Sequence, residues 1–231
     1  MILTHNSFGT NGAVAISKSA SSLTMLNLSC NSIGTVGAFA VADAIKQSAS
    51  LSVVNLSFCL IGSGGAFAVA VAVAQRRSMV AVDLSGNSIG HIATIAMADA
   101  IKQSTALVEV QLRSNEIRCE GASVIAEAIL QSTSLTLVDL NFNSIGNKGA
   151  VAIAEAVSQS KSMVVMNLGS NRVGDVGASA IADAIRQSKS LARVDLSGNS
   201  IREQGALAIA DAITQSMSLA SMDLSGIGDW R

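Results

Sequence analysis

Proline and tyrosine are absent from the 231 residues, tryptophan occurs once (Trp230), and phenylalanine occurs five times. Charge is scarce as well. Only 13% of the residues are charged, and fifteen basic against sixteen acidic side chains leave a net charge of −1. A near-neutral chain lacks the basic stripe that holds phosphates, so no nucleic-acid partner is expected. There is no long apolar run either. The longest, Ala66 to Ala74, is nine residues and is followed closely by Arg76 and Arg77, whereas a membrane-spanning helix needs about 20. A membrane partner is therefore not expected. Cysteine is limited to Cys30, Cys59 and Cys119. An odd number without paired spacing argues against a disulfide framework and for a reducing compartment, so the expected location is cytoplasmic. The first residues do not show the basic, apolar and small-residue segments of a signal peptide. With 49% hydrophobic residues and a mean hydropathy of +0.48, the chain is also far too apolar to be disordered.

What the chain does contain is a rhythm. Leu28, Leu56, Leu84, Leu112, Leu140, Leu168, Leu196 and Leu224 are spaced by 28 residues without a slip. Three positions after each come Asn31, Cys59, Asn87, Asn115, Asn143, Asn171 and Asn199, with Ile227 ending the series. Fixed self-similarity at this period is the mark of a solenoid. The spacing predicts one repeat domain over 1–231: a shortened unit over 1–22, seven 28-residue units over 23–218, and a partial unit over 219–231.

Each unit has two halves. In the first, Val194 and Leu196 alternate with Asp195 and Ser197, the period-2 pattern of a strand with one buried face. In the second, Ala178, Ile181, Ala184 and Ile185 fall on one face of a helix, with Ser179, Asp183 and Arg186 opposite. Ala180 and Ala182 flank that face, and small residues there let identical helices lie side by side. Gly177 is expected to supply backbone freedom where the helix begins. Strands sit about 4.8 Å apart and helices roughly 8–10 Å apart. A stack of such units must therefore bend, with the parallel sheet on the concave side and the helices on the convex side.

The pattern L-x-x-L-x-L-x-x-N-x-I-G-x-x-G-A-x-A-I-A-x-A-I resembles the leucine-rich repeats of the ribonuclease-inhibitor-like subfamily, which also form the sensor ends of NOD-like receptors and occur in Ran GTPase-activating proteins. The resemblance runs from Leu3 to Leu224 and implies a right-handed curved α/β solenoid. It further implies a non-enzymatic scaffold for protein binding, with no cofactor, whose ligand is set by the variable positions. The family's Asn column turns inward to bond backbone, with Cys as the usual alternative, so Cys59 fits the pattern. The GTPase-activating members imply a catalytic Arg and a supporting Asn in the first bends, where this chain has Thr10, Asn11 and Thr35 instead.

Candidate binding residues are those the repeat does not dictate. On the concave face, one column reads Asn27, Asn55, Asp83, Gln111, Asp139, Asn167, Asp195 and Asp223, either an acidic stripe for a basic partner or simply common strand residues of the family. The fourth full unit departs most from its sisters. Glu109 and Arg113 stand where most sister units carry small or apolar residues, Gln111 stands in the Asn/Asp column, and Glu116, Arg118 and Glu120 follow; they form either a recognition patch or a self-paired surface cluster. Phe58 and Phe142 stand just after the strand in a column otherwise filled by Cys, Ser and Gly. They are either exposed anchors or lids over a neighbour's small residue. On the convex side the helix around Phe67 is apolar all round, and Phe39, Phe67, Val71 and Ile95 form either a patch for self-association or isolated exposed side chains. No catalytic or metal-binding constellation is visible. His91 and Cys119 share a column in adjacent units, but no third group joins them. The ends carry no polar cap of the kind solenoids need. Three arrangements answer that: a longer protein, a second copy over the ends, or Trp230 as a minimal lid.

Overall fold

A computed structural model describes residues 1–228; Trp230, and with it the proposed lid, lies outside the described residues. Eight short strands alternate with eight helices: β1 (Met25–Asn27), β2 (Val53–Asn55), β3 (Ala81–Asp83), β4 (Glu109–Gln111), β5 (Leu137–Asp139), β6 (Val165–Asn167), β7 (Arg193–Asp195) and β8 (Ser221–Asp223). The helices are α1 (Gly9–Lys18), α2 (Gly34–Gln47), α3 (Gly62–Ala74), α4 (His91–Gln103), α5 (Arg118–Gln131), α6 (Gly146–Gln159), α7 (Asp175–Gln187) and α8 (Glu203–Gln215). The strands form one parallel sheet in the order β1 to β8. Each residue of β1 to β7 pairs with the residue 28 positions further on, as in Leu26 with Val54 and Val54 with Val82. The sequence period is thus the sheet register itself.

The core lies between sheet and helices. Val54 and Leu56 from the strand half and Val69, Ala70 and Val73 from the helix half are at most 1% exposed, and the same columns stay buried as far as Leu196 and Ile185, whereas Ala210 and Ile213 of α8 are exposed. Gly177 differs from its expected role. It sits inside α7 without a left-handed φ, and a Cβ there would stand 3.1 Å from the Ala150 Cβ and 2.6 Å from the Val173 Cγ1. Gly65 and Gly149 are equally crowded, with the preceding unit's Ala38 and Ala122 at 2.8 Å. These glycines serve the close approach of adjacent helices, not chain flexibility.

The Asn column forms a buried ladder. The Asn87 Nδ2 donates to the carbonyls of Leu56 (2.8 Å), Leu84 (3.0 Å) and Ser85 (3.0 Å). Its Oδ1 accepts from the amides of Cys59 and Ile61 at 3.1 and 3.2 Å. One side chain thereby satisfies backbone of two units in a bend that neither helix nor sheet can serve. At the one Cys position, the Cys59 Sγ donates to the Leu28 carbonyl at 3.0 Å. Burial pushes its thiol pKa up, against the lowering effect of the Asn31 backbone hydrogen bond.

Candidate functional site

The Asp/Asn column of the concave face has a structural duty. The side-chain oxygens of Asn27, Asn55, Asp83, Asp139, Asp195 and Asp223 each accept the amide two residues later, at 2.8 to 3.0 Å. These Asx-type bonds close the strand end. Asp and Asn alternate freely because either offers the oxygen. Most of the apparent acidic stripe is therefore accounted for by local folding.

Two features of this face are not. The first is the column after the strand. Cys30, Phe58, Gly86, Ser114, Phe142, Ser170, Gly198 and Gly226 all hold a left-handed backbone, with φ between 54° and 66°. Gly takes this conformation freely, whereas a bulky residue does so at a cost of roughly 1–2 kcal/mol. Phe58 and Phe142 accept that cost and still remain 52% and 48% exposed. Phe58 lies over the next unit's glycine: a Cβ on Gly86 would meet its Cδ1 at 2.3 Å. Phe142 instead lies beneath a cation, with the Arg113 guanidinium carbon 4.7 Å from the ring centroid, a cation–π geometry. Phe58 thus covers its neighbour's glycine as a lid would, Phe142 packs against a cation, and both rings keep an open face.

The second feature is a polar network that skips a unit. Asn141, only 6% exposed, donates its Nδ2 to Asp195 at 3.0 Å, 54 residues away. Its Oδ1 accepts the Gly169 amide at 2.5 Å. The reach is possible because Gly169 lies between them; a Cβ there would be 3.1 Å from both Asp195 carboxylate oxygens. Burial pushes the Asp139 carboxyl above its ordinary pKa. Hydrogen bonds from the Asn141 amide and the Asn167 side chain, and the Arg113 charge, pull it down; Asp195 adds to the rise. Beside this network an open hollow of about 450 Å³ is lined by Leu137, Val165, Asn167, Arg193, Asp195 and Asp223 among others.

In the fourth full unit, Gln111 Nε2 donates to the Glu109 carboxylate, while Arg113 is exposed and turned to Phe142. Among the described residues, the ion pairs join Lys46, Lys102 and Arg186 to carboxylates on the helix side, and none involves Glu109, Arg113, Glu116, Arg118 or Glu120. The structure thus brings Arg113, Phe142, Asp139 and Asp195 towards one stretch of the sheet, with Asp83 and Phe58 on the units before it. Asp83 is engaged by the Asn55 Nδ2 at 2.9 Å. Sequence reasoning missed Asn141 and Gly169; the signal was a glycine in a column that otherwise carries Ser, Asn or Arg.

On the convex side Phe39, Phe67 and Ile95 are exposed and Val71 is half-buried. His91 opens α4 and Cys119 lies in the first turn of α5. Among the described residues no cluster of three His, Cys, Asp or Glu side chains is placed to hold a metal ion, and no helix is long and apolar enough to cross a membrane.

The leucine-rich repeat family model matches residues 19–42, 47–70, 131–154, 159–182 and 187–210, just over half of the chain. The protein belongs to the leucine-rich repeat family. The solved structures similar to it include one titled leiomodin-1 actin-binding site 2. That likeness has a TM-score of 0.55 and 16% identity over 64% of this chain and 86% of the other. A tropomodulin C-terminal domain from Caenorhabditis elegans gives a TM-score of 0.54 and 13% identity over 65% and 92%. At these identities the likeness is one of fold. No curated protein matches the sequence. Between the family matches, residues 71–130 of this leucine-rich repeat chain include Asp83, Glu109, Gln111 and Arg113.

Proposed function

We propose that the protein is a cytoplasmic, non-enzymatic interaction scaffold of the ribonuclease-inhibitor-like kind, and that a partner protein docks on its concave sheet. The docking surface is centred on Arg113 and Phe142, with Phe58, Asp83, Glu109, Gln111, Asp139 and Asp195 around them. The observation that carries this reading is Phe142. Its ring is half-exposed, held in a left-handed backbone that the same column elsewhere gives to glycine or to small residues, and covered on one face by an arginine. Aromatic and arginine side chains are the residue types that most often anchor protein interfaces. Asp139 supports it, as a carboxylate kept partly desolvated where Asn would close the strand end equally well. Strain and desolvation gathered on one face are the signature of a site retained for binding.

The test uses the full chain as bait against purified candidates, with actin first because leiomodin-1 supplies it as an obvious one. A partner held by the wild type should be lost with Arg113→Ala and Phe142→Ala and kept with the convex variant Lys148→Ala. A partner indifferent to both concave substitutions would refute the assignment of this face.

A further inference from the structure

We infer that the turn joining α3 to β3 binds an oxyanion of the phosphate class, held by Arg76, Arg77 and the Ser78 amide, where the other full units place a serine oxygen. The turn lies on the rim where helices pass back into strands, and the inference does not depend on the concave site.

The repeat supplies the comparison. In the sister units the residue that ends the helix is a serine, and its Oγ accepts two amides of the turn that follows. Ser48 takes those of Ser50 and Leu51 at 3.3 and 3.1 Å. Ser104, Ser132, Ser160, Ser188 and Ser216 do likewise. The unit of α3 carries Arg76 in this column, which has no oxygen to give. The Met79 amide reaches the Arg76 carbonyl at 3.4 Å, longer than an ordinary N–H···O bond. Among the described residues the Ser78 amide has no acceptor. The Ser78 hydroxyl departs as well. Its counterparts Ser50, Ser134 and Ser218 donate to a carbonyl of the preceding unit at 2.9 Å, whereas the Ser78 Oγ accepts from the Arg76 Nη2 at 3.2 Å.

The charges at this turn are of one sign. Lys46, Lys102 and Arg186 stand in the last turn of their helices and pair with Asp43, Asp99 and Asp183. In α3 both members of that pair are apolar, Val71 and Ala74, and two arginines follow the helix instead. Between Asp43 and Asp83 the sequence has no carboxylate, and among the described residues no ion pair involves Arg76 or Arg77. The helix dipole favours a cation at a C-terminus, which accounts for one arginine but not for a pair of them beside uncapped amides. The Arg76 head is also only half served. Its Nε is shielded from water and has no acceptor, a costly state for a donor. A guanidinium presents its N–H groups as a planar fork that matches phosphate oxygens. Turning the Nε edge outward onto an oxyanion supplies the acceptor it lacks. Phosphate brings enough oxygens and charge to serve both arginines and the Ser78 amide together.

The experiment is a nitrogen–proton correlation NMR titration of the full chain with inorganic phosphate, O-phosphoserine and sodium chloride at matched ionic strength. Phosphate should shift the Ser78 and Met79 amides and the Arg76 Nε–H saturably, and chloride should not. A response to inorganic phosphate alone marks a site for the free ion; a response to phosphoserine marks one that reads a phosphate ester. Arg76→Ser restores the serine that the sister units carry, so the variant should fold, and it should bind about tenfold more weakly or not at all. Arg77→Ala leaves the turn's hydrogen bonds unchanged and should weaken binding about threefold. Lys161 is the internal control, since it shares the column of Arg77 in a turn that Ser160 caps, and its amide should stay still. No saturable shift with either phosphate compound, an equal response in Arg76→Ser, or equal shifts around Lys161 would overturn the inference.

Discussion

Replacing Cys59 by Asn should stabilise the protein, and the size of the gain follows from the ladder. In the next unit, Asn87 Oδ1 accepts the amides of Cys59 and Ile61. Cys59 offers no such oxygen: the corresponding amide of Asn31 meets only its sulfur, the amide of Ile33 has no bond from this side chain, and both residues are buried, at 1% and 0% exposed. A buried donor left unmatched costs about 1–3 kcal/mol, while a hydrogen bond to it contributes about 1 kcal/mol net. The thiol's bond to the Leu28 carbonyl is replaced by the Nδ2 bonds that Asn makes elsewhere in the column. Giving the Ile33 amide an oxygen and exchanging the sulfur acceptor of the Asn31 amide for one should therefore add about 1–2 kcal/mol, roughly 2–8 °C in melting temperature for a chain of this length. Thermal and urea unfolding by far-UV circular dichroism measures it. Cys59→Ser is the control, since its short hydroxyl can donate to Leu28 but cannot reach as an amide does, and it should give no gain. An unchanged or lowered melting temperature for Cys59→Asn would show that these amides are already satisfied and that the ladder is not what holds the bends.

Three further outcomes follow from the same structure. Asn87→Ala removes five hydrogen bonds at once and should destabilise by roughly 3–5 kcal/mol, visible as a lower urea midpoint. Native protein should show two thiols reactive to an aromatic disulfide reagent, Cys30 and Cys119, while Cys59 reacts only on unfolding, because it is fully buried with its pKa raised by that burial. Asp139 has a raised folded pKa, so the folded state holds its proton more tightly than the unfolded one. Its contribution is present below the ordinary carboxylate pKa near 3.9 and is lost as pH rises through the folded value. Asp139→Asn should remove that slope from the stability–pH curve and raise the melting temperature at neutral pH.

The architecture was almost entirely legible in the sequence, because a 28-residue period is at once the sheet register and the helix spacing. Leu28 to Leu224 and the Asn column placed the strands and the inward bends, and Cys59 kept its inward role through a thiol hydrogen bond. Gly177 was misread because a glycine at a helix start signals either φ freedom or close packing, and only the neighbour's Ala150 methyl distinguishes them. The left-handed column is hinted at by Gly86, Gly198 and Gly226, yet Cys30, Phe58, Ser114, Phe142 and Ser170 hold the same backbone without being glycine and so concealed it. The Asn141–Asp195 contact was invisible for a different reason. It passes over an intervening unit, and column-wise reading considers only adjacent ones.

The central claim is that the concave surface around Phe142 and Asp139 is kept for binding rather than for folding. Phe142→Gly relieves roughly 1–2 kcal/mol of left-handed strain and forfeits about 0.5–1 kcal/mol of cation–π contact. It also adds about 0.5–1 kcal/mol of chain entropy cost. Stability should thus stay within about 1 kcal/mol of the wild type. Calorimetric titration of the concave-face partner against Phe142→Gly, run beside thermal unfolding of the same sample, tests the claim directly. The account predicts binding weakened at least tenfold with a melting temperature within a few degrees of the wild type; undiminished binding, or a fold lost together with the ring, would contradict it.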